Sequence, residues 1–251
     1  MKFKIFISCL FLLFTGGLSY LHFYEKYSKQ NLIKNLRNEL KEQKNLNKIY
    51  VLKDKRRKCI SKTLKIAYNL SDWESYCYSV FFDDFSTYYK INWEVYAALI
   101  RVESNFNPTI KSKANCKGLM QIKESTGEEI AKKLGILFIK NQSLWNDFIN
   151  IILGAEYLSR FIQEKGFDGG VKSYLGGPDY LKSVKKNTET YKYVKEYKIR
   201  VSDEYHQLQY IFRGVADEYD ITFEELRNSI FKDSISPVFS ILETNSEDSK
   251  E

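Results

Sequence analysis

Breakers and metal-binding side chains are scarce in this sequence. Three prolines and twelve glycines in 251 residues leave few points where a helix must stop, which disfavours a fold of many short strands. Two histidines, His22 and His206, and four cysteines at 9, 59, 77 and 116 with no C-x-x-C pair spell no zinc or iron–sulfur site, so neither a metal nor a cofactor is expected. With 43% hydrophobic and 28% charged residues, disordered, collagenous and multi-pass membrane classes are excluded. What is abundant is Lys, Glu, Leu, Ile and Asn. The expected fold class is mostly α.

Charge is unevenly placed. Residues 25–66 hold 14 Lys/Arg against 4 Asp/Glu, a local +10, whereas residues 67–251 hold 23 against 28, a local −5. The basic charge belongs to an arm, suited to anionic lipid or an acidic polymer, or simply to solvation as a helix surface. No recognised nucleic-acid-binding motif accompanies it, and nucleic acid is not expected as a partner.

After Lys2 and Lys4, the stretch Ile5 to Tyr24 runs twenty residues without a charge. It reads as a signal anchor, with a cleaved signal peptide as the alternative because Thr15-Gly16-Gly17-Leu18-Ser19 offers small residues. Cys9 does not make a lipoprotein signal, since only Ile5 to Ser8 would form the apolar stretch before it. Lys26, Lys29, Lys34 and Arg37 follow the segment, and by count they favour a cytoplasmic C-terminal side. With Cys9 in the membrane, at most one disulfide forms. Cys59–Cys77 is the candidate, and reduced packing residues are the alternative.

Four segments emerge: 1–24 targeting, 25–77 a basic helical arm, 78–200 the main domain, and 201–251 a helical extension with an acidic tail. In the arm, Leu32, Ile33, Leu36 and Leu40 recur at helical spacing. Short helices are expected around Tyr205 to Phe212 and Thr222 to Phe231. Pro237 should close the ordered part, before a frayed Glu243 to Glu251.

The chemistry centres on Trp93 to Ser104. Tyr96, Leu99 and Ile100 precede Glu103 by seven, four and three positions, so Glu103 shares their apolar face. Asn105, Asn107 and Pro108 stop the helix just beyond, placing the carboxyl at a helix end beside a loop. Partial burial disfavours ionisation, and such a group can serve as a general acid near neutral pH. A glutamate that merely reaches solvent is the plain alternative.

The residues Glu103-Ser104-Asn105-Phe106-Asn107-Pro108, followed by Lys117-Gly118-Leu119-Met120-Gln121, resemble the signature of the soluble lytic transglycosylase (SLT) domain family, which is lysozyme-like. Gly-Leu-Met-Gln alone is expected by chance at on the order of one in a few hundred thousand positions. Asn150-Ile151-Ile152-Leu153-Gly154-Ala155-Glu156-Tyr157-Leu158 is similar to the family's central helix. Ser173-Tyr174-Leu175-Gly176-Gly177-Pro178 stands where the family has Ala-Tyr-Asn-x-Gly-Pro, and Glu189-Thr190-Tyr191-Lys192-Tyr193-Val194 looks like its closing motif. The resemblance covers about Tyr88 to Val194.

It implies a peptidoglycan lytic transglycosylase with Glu103 as the catalytic acid and Ser104 as a polar neighbour at the cleaved bond. Gly118 to Gln121 would be a strand-like wall with Met120 and Gln121 toward the glycan, Tyr174 would line the cleft, and Tyr193 would hydrogen-bond to Glu103. Met120, Tyr174 and Tyr193 each have a plain reading as core or helix-face residues, and Ser104 as a helix-end polar group. Two departures stand out: Leu175 replaces the family's Asn and can neither donate nor accept a hydrogen bond, and Cys116 replaces a small residue.

Glycoside hydrolases ordinarily use two carboxylates, and the matched motifs supply one. Glu94, Glu124, Glu128 and Asp147 are the other candidates, but Glu94 falls on the far side of the helix from Glu103 and the rest lie outside the motifs. The family's route needs only one, because the sugar's N-acetyl group and its own 6-hydroxyl supply the remainder and close a 1,6-anhydro ring. That substrate places the domain outside the cytoplasmic membrane, held there by the N-terminal segment, with peptidoglycan glycan strands as partner and a wall-spanning assembly partner unidentified. A non-catalytic peptidoglycan-binding protein with the same cleft is the alternative.

Overall fold

The computed structural model describes residues 2–177 and 188–232, the side chains of 2–16, 18–21, 23, 227 and 230–232 excepted. Pro178, Pro237 and the acidic tail Glu243 to Glu251 lie outside the described residues. Among those described, seven α-helices and one 3₁₀ turn (Ser143–Trp145) account for the regular structure, and no strand is present. The helices are α1 (Lys2–Tyr68), α2 (Asp72–Tyr89), α3 (Trp93–Ser104), α4 (Glu124–Lys133), α5 (Asp147–Gly176), α6 (Glu189–Glu218) and α7 (Phe223–Lys232). The mostly α class expected from composition is what the chain adopts.

Two compact units divide the chain at Val51 and Leu52. In the first, α1 presents Leu32, Leu36 and Leu40 to solvent among its lysines. Among the described residues no helix is long and apolar enough to cross a membrane. Most side chains of the expected anchor, Ile5 to Tyr24, lie outside the description.

The second unit starts at Leu52, well inside the arm expected to run to residue 77. Ion pairing explains the difference. Arg56 is fully buried and pairs with Asp83 of α2, while Arg57 reaches Asp83 at 3.0 Å and Asp84 at 2.7 Å. Lys53 reaches Asp84 at 2.9 Å. Arg56 also donates to Ser229 Oγ of α7 at 2.6 Å. Those cations are structural, and Cys59, Ile60 and Leu64 on the same stretch are buried with them.

Local chemistry sets the helix ends. Ser71 and Glu74 form a capping box that starts α2, and Thr222 with Glu225 exchange the same pair of hydrogen bonds at the start of α7. Asn146 and Thr188 accept from the backbone N–H groups of Ile149 and Tyr191 to start α5 and α6. The expected short helix at Tyr205 to Phe212 is part of α6, because its buried stripe of Val194, Tyr197, Val201, Leu208, Phe212 and Val215 runs on at helical spacing without a breaker.

Helix α3 lies at the centre. Every residue from Trp93 to Ile100 is buried, so it is a core helix and not one with a single apolar face. It ends at Asn105, whose φ of 53° is followed by 58° at Phe106. A bulky residue in the left-handed region is unusual and must be held there by its surroundings. The Phe106 ring is buried against Tyr68 and Tyr78, with centroids 4.7 and 5.7 Å away. This anchored turn fixes where α3 stops, one residue after Glu103.

Among the described residues the cysteines form no bridge. Cys59, Cys77 and Cys116 are free thiols, which rules out the Cys59–Cys77 disulfide; burial pushes the Cys59 thiol up to about 11.

Candidate active site

Glu103 opens onto a cavity of about 240 Å³ whose lining includes Cys116, Gln121, Lys123, Thr126, Tyr157, Tyr174 and Leu175. Loss of water around the carboxyl pushes its pKa up to about 7, opposed by a hydrogen bond from Tyr197 and by the nearby Arg200 charge. Glu103 is the carboxylate among the described lining residues.

The other acidic candidates are engaged elsewhere. Glu124 pairs with Lys117 at 2.5 Å and is held below the ordinary carboxylate range, and Glu128 pairs with Lys140 at 3.2 Å. Asp147 accepts from Tyr78 at 3.4 Å. Glu94 is buried at the far end of α3.

The residues expected as a strand-like wall form a turn. Lys117 bridges both Lys111 and Ile122 in antiparallel fashion, and Gly118 to Gln121 reverse the chain between the exchanged hydrogen bonds of Lys117 and Ile122, 3.0 and 3.1 Å. Gly118 has φ 76°, and a Cβ there would stand 2.3 Å from Asn150 Nδ2 and 2.5 Å from the Leu144 carbonyl oxygen. Only glycine fits. The fully buried Asn150 ties the turn to α5 by donating to the Lys117 and Leu144 carbonyls at 2.8 and 3.0 Å and accepting from Met120 N–H at 2.8 Å.

The turn then divides its residues. Met120 is fully buried, packed where a Cβ on Gly154 would come within 2.5 Å of its sulfur, so it fills core and does not face the cavity. Tyr174 reaches the Met120 carbonyl with its hydroxyl at 2.7 Å while its ring lines the cavity. Gln121 lines the cavity too, with its amide hydrogens donated to Gly118 and Ile110 carbonyls at 2.8 and 3.1 Å. Its Oε1 is what remains for a ligand.

Two expected placements need correction. Ser104 is buried and bonds back to the Ile100 carbonyl at 3.1 Å, the habit of a serine inside a helix, and it is not among the cavity residues. Tyr193 is 56% exposed, and the hydroxyl bonded to Glu103 Oε1 belongs to Tyr197, one turn further along α6. The reason is register: Val194 and Tyr197 share the buried stripe, and Tyr193 stands one residue off it. That stripe was readable from sequence and would have selected Tyr197. The roles of Asn150 and Tyr157 lay in a motif noted for its helix alone, and Lys123 and Thr126 carried no signal.

In this helical domain one half-dry carboxyl shares a cavity with a glycine-turn wall. The sequence profile of the Transglycosylase SLT domain matches residues 81–196. The chain is similar to the endo-type membrane-bound lytic murein transglycosylase A of Cronobacter sakazakii, 45% identical over 78 residues, covering 30% of this chain and 37% of that one. Its counterpart in Klebsiella pneumoniae is 40% identical over 81 residues, covering 32% and 39%. The chain therefore spans little more than a third of the length of these relatives. Among solved structures, an inactive mutant of the lytic transglycosylase Slt from Pseudomonas aeruginosa is similar at 20% identity and a TM-score of 0.44, covering 64% of this chain and 27% of that one.

Proposed function

We propose that the chain is a peptidoglycan lytic transglycosylase that cuts the β-1,4 bond between N-acetylmuramic acid and N-acetylglucosamine. The observation that carries this reading is Glu103, a single carboxyl with its pKa raised to about 7 at the wall of a cavity that holds no second carboxylate among its described residues. Such a group is protonated often enough to donate and ionised often enough to accept at one working pH.

Glu103 gives its proton to the glycosidic oxygen as the bond to the muramic C1 breaks, and the sugar's N-acetyl group shares the positive charge developing there. The carboxylate then takes the proton of the same sugar's 6-hydroxyl while O6 attacks C1. One C–O bond is lost and one gained, Glu103 is restored, and no water enters. Holding O6 near C1 replaces a bimolecular step with an intramolecular one. Gln121 Oε1 and the Tyr157 and Tyr174 rings hold the sugar, and Tyr197 holds the carboxyl in place.

Peptidoglycan lies outside the cytoplasmic membrane, so the domain works there, with Ile5 to Tyr24 as its anchor and the exposed lysines of residues 24–51 facing anionic headgroups or wall polymer. Names of relatives that include "membrane-bound" support this placement. Residues 78–200 serve as the catalytic domain and 201–251 as its helical extension.

The test is digestion of purified sacculi followed by mass spectrometry. Products one water lighter than their hydrolytic counterparts, absent with Glu103→Gln, are expected. Reducing muramic ends would make the enzyme a hydrolase. Leu175, an apolar residue on the cavity wall, favours a second reading as a glycan binder without turnover, and glycan retention with no soluble product would establish that instead.

A further inference from the structure

A second cavity, about 440 Å³, is lined by Lys111, Asn115, Lys117, Lys123, Glu124 and Asn141 among others. Lys123 lines both this cavity and the one at Glu103. The two therefore meet at one side chain, immediately after the turn that walls the first.

The charges of this second cavity do not cancel. Lys117 is buried and its ammonium is taken up by Glu124 at 2.5 Å and Asn141 Oδ1 at 3.2 Å. Lys111 and Lys123 are exposed and carry no ion pair among the described residues, so they leave a surplus of two positive charges in a concave, polar site. Such a site attracts an anion with hydrogen-bond acceptors, and a carboxylate suits lysine ammonium groups. In the polymer proposed as substrate, the muramic acid residue carries a lactyl-linked peptide whose carboxylates are its principal negative charges. A glycan strand seated at Glu103 must direct that branch out of the cavity.

We propose that the Lys111–Lys123 cavity binds a carboxylate of the stem peptide on the strand being cut, so that the enzyme distinguishes peptide-bearing glycan from bare glycan. This rests on the reading of Glu103 as a transglycosylase acid. Lys123 orients the branch at the junction, and Lys111 holds it further out.

The test compares the full chain on sacculi with the same sacculi stripped of stem peptides by an amidase. The wild-type protein is expected to show a lower KM on the peptide-bearing polymer. Lys111→Gln combined with Lys123→Gln should reduce that preference about three- to tenfold, the range for two exposed charge contacts, with Lys111→Arg combined with Lys123→Arg retaining it. Added salt should erode the preference in parallel. Equal KM values on the two polymers for the wild type, or a preference untouched by the glutamine pair, would overturn the proposal. If the wild-type chain cleaves neither polymer, the transglycosylase reading fails separately. Cosedimentation of the chain with each polymer then decides the cavity by the same comparison of binding.

Discussion

Two sets of carboxylates withdrawn from solvent, among the described residues, are treated in opposite ways. Asp83 and Asp84 on α2 are 0% and 1% exposed and stand among Lys53, Arg56 and Arg57, whereas Glu103 on α3 accepts from a tyrosine hydroxyl and feels the Arg200 charge without an ion pair among the described residues. The aspartates have cations at hydrogen-bonding distance and serve to fasten α1 to α2. Glu103 is left without such a partner, and burial therefore works on its proton instead. A buried acid with its charge matched is a strut, and one with its charge unmatched is available for chemistry.

The comparison breaks most visibly at the strut. Asp83→Ala takes the Asp83 carboxylate away from the fully buried Arg56, and removing one partner of a buried pair costs about 3–5 kcal/mol. Urea denaturation should show that loss. A drop of under about 1 kcal/mol would mean that α1 is not held by this pair.

Next in size is the wall opposite Glu103. Asn150→Ala strands the Met120 N–H and two carbonyls inside the protein, at about 2–4 kcal/mol for several buried groups left unpaired. Activity should fall with the turn it holds. Full turnover at native stability would show that the turn needs no tie to α5.

Glu103→Gln sharpens the comparison because removing an unmatched charge should help the fold. Glu103 has a folded pKa raised from 4.5 to about 7. Its contribution is therefore fully present below about 4.5 and is lost as pH rises through 7. The glutamine variant should match wild type near pH 4 and exceed it by about 1–3 kcal/mol at pH 8, while sacculus cleavage falls by at least about a hundredfold. Denaturation midpoints measured across that range check the crossover. A variant equally destabilised at both pH values would mean that Glu103 is a structural group.

Sequence and structure part company at identifiable places. The acid and the glycine turn were legible because each needs a particular residue type: a carboxyl at a helix end, and a glycine where a Cβ would strike Asn150. Tyr197 was missed because a linear motif singled out Tyr193, while helical register decides which hydroxyl faces inward. The limit of the basic arm was invisible to charge counting, because Arg56 and Lys34 contribute equally to net charge and only the fold brings Asp83 to one of them. Met120 and Ser104 are motif neighbours of true cavity residues, yet alternation around a turn and the pitch of α3 point them away from the cavity.

The smallest effect falls on the contact between α6 and the acid. Tyr197 is 2% exposed and donates to Glu103 Oε1, a bond that stabilises the ionised carboxylate more than the neutral acid and so lowers the pKa. Tyr197→Phe keeps the ring in the buried stripe beside Val194 and Val201 and removes only that donor. The alkaline limb of the rate profile, expected near 7 for the wild type, should then move upward, with stability falling by no more than about 1–2 kcal/mol. If Tyr197 were only packing, the phenylalanine ring would serve as well and the limb would stay where it is. A limb that moves to lower pH would mean the hydroxyl had been favouring the neutral acid, and the sign of that shift decides which protonation state of Glu103 the protein was built to hold.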